Sequence, residues 1–224
     1  MKQMLLGISP AWKPTLENFI IGHNIELLSV LRLSITPIIT GRGFYFWGEA
    51  GSGKSHLLRA AIDKARSLGL TAEYKQGMVP VAAQVVAIDD VELLDDAAQI
   101  ELFALCNRQR ETGGILLVSG PEAPAHLTLR DDLRTRLAWD LVYQVKSLSD
   151  EEKTQALQQH AVSRGFILPF EVTQYLLRHG RRDLPALLDV LDALDKHCLR
   201  LKRSASVPLL KEVMQMAKQN DGAC

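Results

Sequence analysis

The segment Gly48-Glu49-Ala50-Gly51-Ser52-Gly53-Lys54-Ser55 constrains this chain more than any other. It fits G-x-x-x-x-G-K-[ST] and stands between a short aromatic run, 44–47, and a helical pattern that continues to about Leu68. The aromatic run reads as a buried strand ending at Gly48. In the helix, Leu57, Leu58, Ala61 and Ala65 share one side, and Gly69 is the stop. Glycines at these positions let backbone N–H groups turn inward around phosphate oxygens, at the positive end of the following helix. Lys54 points the same way: a cation in a first helical turn opposes the macrodipole, and a nearby anion is the simplest compensation. The segment therefore predicts a nucleoside di- or triphosphate site, with the Ser55 hydroxyl directed to Mg2+.

Around this loop the pattern alternates. Runs at 85–88 and 115–118 are apolar throughout, as parallel strands covered on both faces are; 72–74 and 142–145 complete a set of five with 44–47. A helix over 97–111 ends at Gly113-Gly114. Ahead of the loop, Asn24 reads as the N-cap of a helix whose Leu27, Leu28, Leu31 and Ile35 share a face before Pro37. After Lys146 the strands vanish and four helices follow. The first carries the capping-box pair Ser149 and Glu152, the second covers 170–179, and the third bears a stripe of Leu184, Leu187, Leu188, Leu191, Leu194, Cys198 and Leu201. The last covers 208–217. Strands alternating with helices argue a parallel α/β sheet. The predicted organisation is an arm at 1–14, an α/β P-loop domain with a five-stranded parallel sheet at 15–147, and a small all-α lid at 148–224.

Charge and composition exclude several classes. Lys plus Arg number 26 against 26 for Asp plus Glu, so the chain lacks the basic footprint of an autonomous DNA-binding domain. No apolar run reaches the roughly 20 residues that span a bilayer, and the first residues lack the apolar core of a secretory signal. Three cysteines, odd in number and far apart, suit a reducing compartment. Cys106 and Cys198 fall among apolar helical residues and read as inert buried thiols. The expectation is a cytoplasmic protein with no membrane partner.

Asp89 and Asp90 end the strand at 85–88. Adjacent carboxylates there repel each other and lose solvation unless a cation or water compensates, and strand alternation sends them in different directions. On their own they would serve equally well as a solvated turn and helix cap. With the loop upstream, Asp89 is assigned to Mg2+, largely through water, and Asp90 to the attacking water. Asp90 is one methylene shorter than the glutamate of many ATPases, so slow intrinsic hydrolysis is expected.

These residues resemble the DnaA family of AAA+ proteins. Thr15-Leu16-Glu17-Asn18-Phe19-Ile20-Ile21-Gly22 is similar to the segment that opens that family's ATPase domain, and Gly51-Ser52-Gly53-Lys54-Ser55-His56-Leu57-Leu58 to its phosphate loop. Ile88-Asp89-Asp90-Val91 resembles its magnesium motif, and Leu133-Arg134-Thr135-Arg136-Leu137-Ala138-Trp139 its arginine-finger segment. The likeness covers about 15–217 and stops where the initiator's helix-turn-helix domain would begin, which makes the chain most similar to the family's regulatory inactivators.

The resemblance implies an AAA+ core and helical lid binding ADP or ATP with Mg2+, and Ile20 and Ile21 near the adenine. It implies Ser119 as a polar sensor and Arg136 as a finger reaching a neighbour's γ-phosphate. The competing reading of Arg136 is a surface ion pair with Asp131 or Asp132; Arg134 reads as a solvated or ion-paired neighbour. The family's lid arginine falls on Pro185 here, with Arg181 or Arg182 as candidate substitutes, so efficient turnover in the chain's own site is not expected.

Gln3, Met4, Leu5, Leu6 and Ile8 resemble a sliding-clamp-binding peptide, an extended segment that enters an apolar groove. The implied partners are the initiator DnaA and the DNA polymerase sliding clamp, with DNA met mostly through the clamp; a homo-oligomer is compatible with the sequence. The implied function is regulation of replication initiation by promoting hydrolysis of initiator-bound ATP. The alternative is a stand-alone AAA+ ATPase of the helicase- or clamp-loader type.

Overall fold

Five strands form one parallel sheet in the order β2-β3-β4-β1-β5. They are β1 (Gly43–Trp47), β2 (Ala72–Gln76), β3 (Val85–Asp89), β4 (Ile115–Gly120) and β5 (Leu141–Gln144). The computed structural model describes residues 13–36, 41–81, 83–181 and 183–221. Gln3, Met4, Leu5, Leu6, Ile8, Arg182 and Cys224 lie outside the described residues.

The strands that were easiest to read are the central ones. Every residue of β3 and β4 is buried, because helices cover a parallel sheet on both faces and each position must be apolar. β1 pairs with β4 from Gly43↔Leu116 to Trp47↔Gly120, and β3 with β4 from Val85↔Ile115 to Ile88↔Val118. The register brings the ends of β3 and β4 together, so Asp89 and Ser119 meet. β5, at the edge, is exposed at three of its four residues.

Helix α2 (Lys54–Ser67) packs Leu57, Leu58, Ala61 and Ala65 onto the sheet, on the side the sequence indicated. Helix α3 (Asp96–Thr112) starts at an Asp95 cap that accepts from the Ala98 N–H and ends at Gly113. Helix α4 (Asp131–Ala138) buries Leu133 and Leu137. Tyr45, Val86, Ile88, Leu102, Leu116, Val118, Leu133 and Leu137 belong to one core cluster.

Helix α1 (Ile25–Ser34) begins after Asn24 as expected, but the Asn24 side chain turns elsewhere. Its Oδ1 accepts from the Lys146 N–H at 2.8 Å and its Nδ2 donates to the Lys146 carbonyl at 3.0 Å. Two backbone groups of an irregular segment are satisfied this way, where a helix cap would satisfy one.

The chain divides into two compact units. One comprises the chain up to Phe19, Glu26–Trp47 and Lys54–Tyr143; the other comprises Ile20–Ile25, Gly48–Gly53 and the chain from Gln144. The second unit holds helices α5 (Asp150–Ser163), α6 (Phe170–His179), α7 (Leu184–Leu201) and α8 (Val207–Asp221). Ser149 and Glu152 form the expected capping box at 2.8 and 3.2 Å. The α7 stripe buries Leu187, Leu188, Leu191, Leu194 and Cys198, while Leu201 ends in solvent. Asp192 ties α7 to the end of α5, accepting from Arg164 at 2.7 Å with His160 Nε2 also at 2.7 Å. Among the described residues, no helix is long and apolar enough to cross a membrane.

Candidate functional site

The loop after β1 has the backbone that its glycines foretold. Gly51 and Gly53 stand at φ +79° and +104°, in the left-handed region that side-chain-bearing residues rarely adopt. The Ser52 N–H donates to the Glu49 carbonyl at 3.2 Å. Ser52 is buried, and its Oγ has no hydrogen-bond partner among the described residues. A buried hydroxyl without a partner is costly, and inside such a loop it fits a phosphate oxygen. Asp183, the N-cap of α7, lies against Gly51: a Cβ there would come within 3.3 Å of the Asp183 Cβ. Ile20 is half-buried and Ile21 exposed.

Lys54 and Ser55 open α2, whose first turn holds no acid. Burial lowers the Lys54 pKa below its ordinary value, while the carboxylates of Asp89, Asp90 and Glu92 pull it back up. His56 is buried, with Nε2 2.8 Å from the Thr15 carbonyl. A carbonyl only accepts, so the ring donates from Nε2; burial lowers the imidazole pKa. With Phe19 edge-on to it at 5.4 Å, His56 anchors the segment that precedes α1.

At the end of β3, Asp89 is 0% exposed and its carboxylate is well provided for. Tyr74 Oη donates to Oδ2 at 2.7 Å, and Ser119 Oγ donates to Oδ1. Arg59 Nη2 donates to Tyr74 Oη at 3.3 Å, and its Cζ lies 4.9 Å from the Tyr74 ring centroid. Burial, then the Asp89 carboxylate, pushes the Tyr74 pKa up to about 12. Both Asp89 oxygens already accept protein hydrogens, an arrangement that suits contact with Mg2+ through water.

No group of three or more His, Cys, Asp or Glu residues disposed to hold a metal occurs among the described residues.

Asp90 leaves the strand at φ 54°, ψ 60°, a left-handed conformation that Asp tolerates better than most residues. Its carboxylate accepts from Gln76 Nε2 at 2.7 Å, and its N–H donates to Ser119 Oγ at 3.2 Å. The two acids face different partners, as expected, though the left-handed turn at Asp90 and not strand alternation separates them. Ser119 is fully buried between them, bonded to both.

Arg136, in the last turn of α4, is 9% exposed. The acids suggested as its ion-pair partners are engaged elsewhere: Asp131 with Arg134 at 2.8 Å, and Asp132 with Arg130 at 3.1 Å. Arg136 Cζ instead lies 5.4 Å from the centroid of the Trp139 ring, which is 68% exposed. Arg181 pairs with Asp183 at 3.2 Å, and Pro185 stands in the first turn of α7. Cys106 and Cys198 are buried free thiols; burial pushes the Cys106 pKa up to about 12.

Sequence reasoning missed Tyr74, Arg59 and Gln76. The parallel β2–β3 pairing, with Gln76↔Asp89, brings Tyr74 and Gln76 to the acids, and Arg59 reaches Tyr74 from α2; no short motif records that pairing.

A glycine-rich loop between β1 and α2, on a parallel sheet in this order and followed by a helical unit, defines a P-loop protein of the AAA+ type. A family model described as the Hda lid domain matches residues 150–214. A Haemophilus influenzae protein described as uncharacterized is 34% identical over 230 residues, covering 96% of this chain and 99% of the other.

Among solved structures, domain III of the Thermotoga maritima replication initiation protein DnaA aligns with a TM-score of 0.72. Its identity is 19%, over 90% of this chain and 95% of that one. AMPPCP-bound DnaA from Aquifex aeolicus aligns at 0.67 with 21% identity over 81% of this chain, and the match spans only 64% of that chain's length. This chain belongs to the family of the Haemophilus protein, with a DnaA-like AAA+ fold and an Hda lid domain.

Proposed function

We propose that this protein regulates the initiation of DNA replication: together with the DNA-loaded sliding clamp, it promotes hydrolysis of ATP bound to the initiator DnaA. The observation that carries the reading is the Hda lid match over 150–214 on a DnaA-like AAA+ fold. The Aquifex relative was solved with AMPPCP, and the fit of this loop to phosphate supports ADP or ATP as the ligand here.

In this reading the functional parts are the arm at 1–14, the nucleotide-binding domain at 15–147 and the lid at 148–224. The backbone of Gly48, Glu49, Ala50, Gly51, Ser52 and Gly53 cradles the phosphates, and Lys54 supplies their counter-charge. Ile20 and Ile21 flank the adenine. Ser55 and, through water, Asp89 hold Mg2+, which neutralises charge on the phosphate oxygens when bound. Ser119 fixes Asp89 and Asp90 relative to each other. Asp90, its carboxylate held by Gln76, orients water. The Gln3–Ile8 peptide engages the clamp, and DNA is met chiefly through it.

Arg136 is the residue that acts on the partner. Its guanidinium leaves the Trp139 ring and meets the γ-phosphate in the neighbouring DnaA, where charge develops in the transition state. DnaA ATP turnover, measured with this protein and clamp-loaded DNA, is expected to rise; in Arg136→Ala the stimulation falls about a hundredfold or more while clamp pull-down is retained. Full stimulation by Arg136→Ala removes the finger. Steady turnover by the isolated protein, lost in Lys54→Ala, replaces the regulator with a stand-alone ATPase.

A further inference from the structure

A cavity of about 590 Å3 opens at the starts of β1, β4 and β5, the opposite end of the sheet from Asp89 and Ser119. Three guanidiniums line it: Arg42 before β1, Arg110 near the end of α3, and Arg136. Arg42 and Arg110 stand at its mouth, whereas Arg136 is buried within. Asp140 is the one carboxylate among the lining residues, and none of the three arginines makes an ion pair among the described residues.

Asp140 is tucked against the strand start; a Cβ at Gly43 would meet its carboxyl carbon at 2.1 Å. Burial raises its pKa, with Arg136 and then Arg110 opposing the rise. Gln109 adds a second unmet demand. Its Nε2 donates to the Ala83 carbonyl at 2.7 Å, but its Oε1, buried at the cavity wall, accepts nothing among the described residues.

A guanidinium taken from water, with one buried carboxylate to serve it and two more of the same sign, is held at a cost. An anion with several oxygens removes that cost, since guanidinium forks match phosphate geometry. The volume lies in the range of small-molecule sites. The Trp139 ring at the edge offers a stacking face. We infer that this cavity is a second anion site, distinct from the phosphate loop, which takes a small phosphate-bearing ligand between Arg42, Arg110 and Arg136. The site shares Arg136 with the proposed finger role, so the variants fall on Arg42 and Arg110; it does not depend on what fills the loop.

The test is calorimetry on ADP-saturated protein, so that the loop is occupied, with inorganic pyrophosphate as titrant and AMP and inorganic phosphate in further arms. One pyrophosphate is expected to bind. Arg42→Ala and Arg110→Ala, both outside the loop, should each weaken it about tenfold or more, with ADP affinity and circular dichroism unchanged. AMP binding more tightly than inorganic phosphate would identify a nucleoside phosphate as the source; equal binding would identify a free phosphate or diphosphate. An absence of heat from all three titrants, or pyrophosphate affinity unaltered in Arg42→Ala and Arg110→Ala, overturns the inference. Should ADP itself fail to bind, the functional reading falls separately, and the pyrophosphate titration proceeds on the ADP-free protein with the same variants and the same criteria.

Discussion

The two ends of the sheet each bury a charge, and they treat it in opposite ways. At the strand ends, Asp89 is fully buried, and Tyr74 and Ser119 donate to its two oxygens. At the strand starts, Arg136 is nearly as buried, yet it faces an aromatic ring and two like charges. A buried carboxylate with two donors is stable as it stands; a buried guanidinium that shares the single Asp140 carboxylate with two others is under-compensated. The contrast separates a part of the molecule completed by its own chain from a part completed by something else. The phosphate loop belongs with the second kind, through the buried Ser52 Oγ, which has no partner among the described residues.

The sharpest way to break the contrast is at Lys54. Lys54→Ala removes the cation that balances the phosphates, and ADP affinity measured by calorimetry should fall roughly a hundredfold, the loss of a buried charge-assisted contact with its long-range attraction. Affinity within a factor of two of the parent would mean that the backbone alone binds the phosphates. Next in size is the self-sufficient end. Tyr74→Phe deletes one donor and leaves Asp89 with a buried, under-satisfied oxygen, which should lower unfolding free energy in urea by about 1–3 kcal/mol. An unchanged midpoint would show that water replaces the hydroxyl freely, and Asp89 would cease to be a closed arrangement.

Legibility in the sequence follows the same division. The runs at 85–88 and 115–118 were readable because a central parallel strand must be apolar at every position. The loop was readable because Gly51 and Gly53 adopt backbone that other residues resist, and 170–179 because α6 ends at a glycine. β5 lay one residue earlier than its pattern indicated, since an exposed edge imposes little on its side chains. Asn24 was placed correctly at a helix start, but its partner is 122 positions away, a distance across which no local rule operates. Tyr74 was unreadable as a support for Asp89 for the same reason at shorter range, because only the β2–β3 register joins them. The cavity around Arg136 draws on the approach to β1, the end of α3 and the end of α4, so composition and spacing carried no sign of it.

The smallest effect tests the phosphate loop by proton uptake. In the free protein, burial holds the Lys54 pKa below the ordinary lysine value. Between that lowered pKa and the ordinary one, the unfolded chain binds more protons than the folded chain, so this group makes stability rise with pH across that window. A bound diphosphate reverses the preference, because an adjacent anion favours the ammonium and lifts its pKa. ADP binding in that window must therefore take up a fraction of a proton, and affinity must decline as pH rises through it. Calorimetry in two buffers of different ionisation enthalpy reads the uptake directly. In Lys54→Arg it should vanish, since a guanidinium keeps its proton throughout. A pH-independent affinity in the parent would mean that the diphosphate leaves the Lys54 proton unmoved, the pull of Asp89, Asp90 and Glu92 outweighing that of the ligand. The strand-end acids would then complete the loop as Tyr74 and Ser119 complete Asp89.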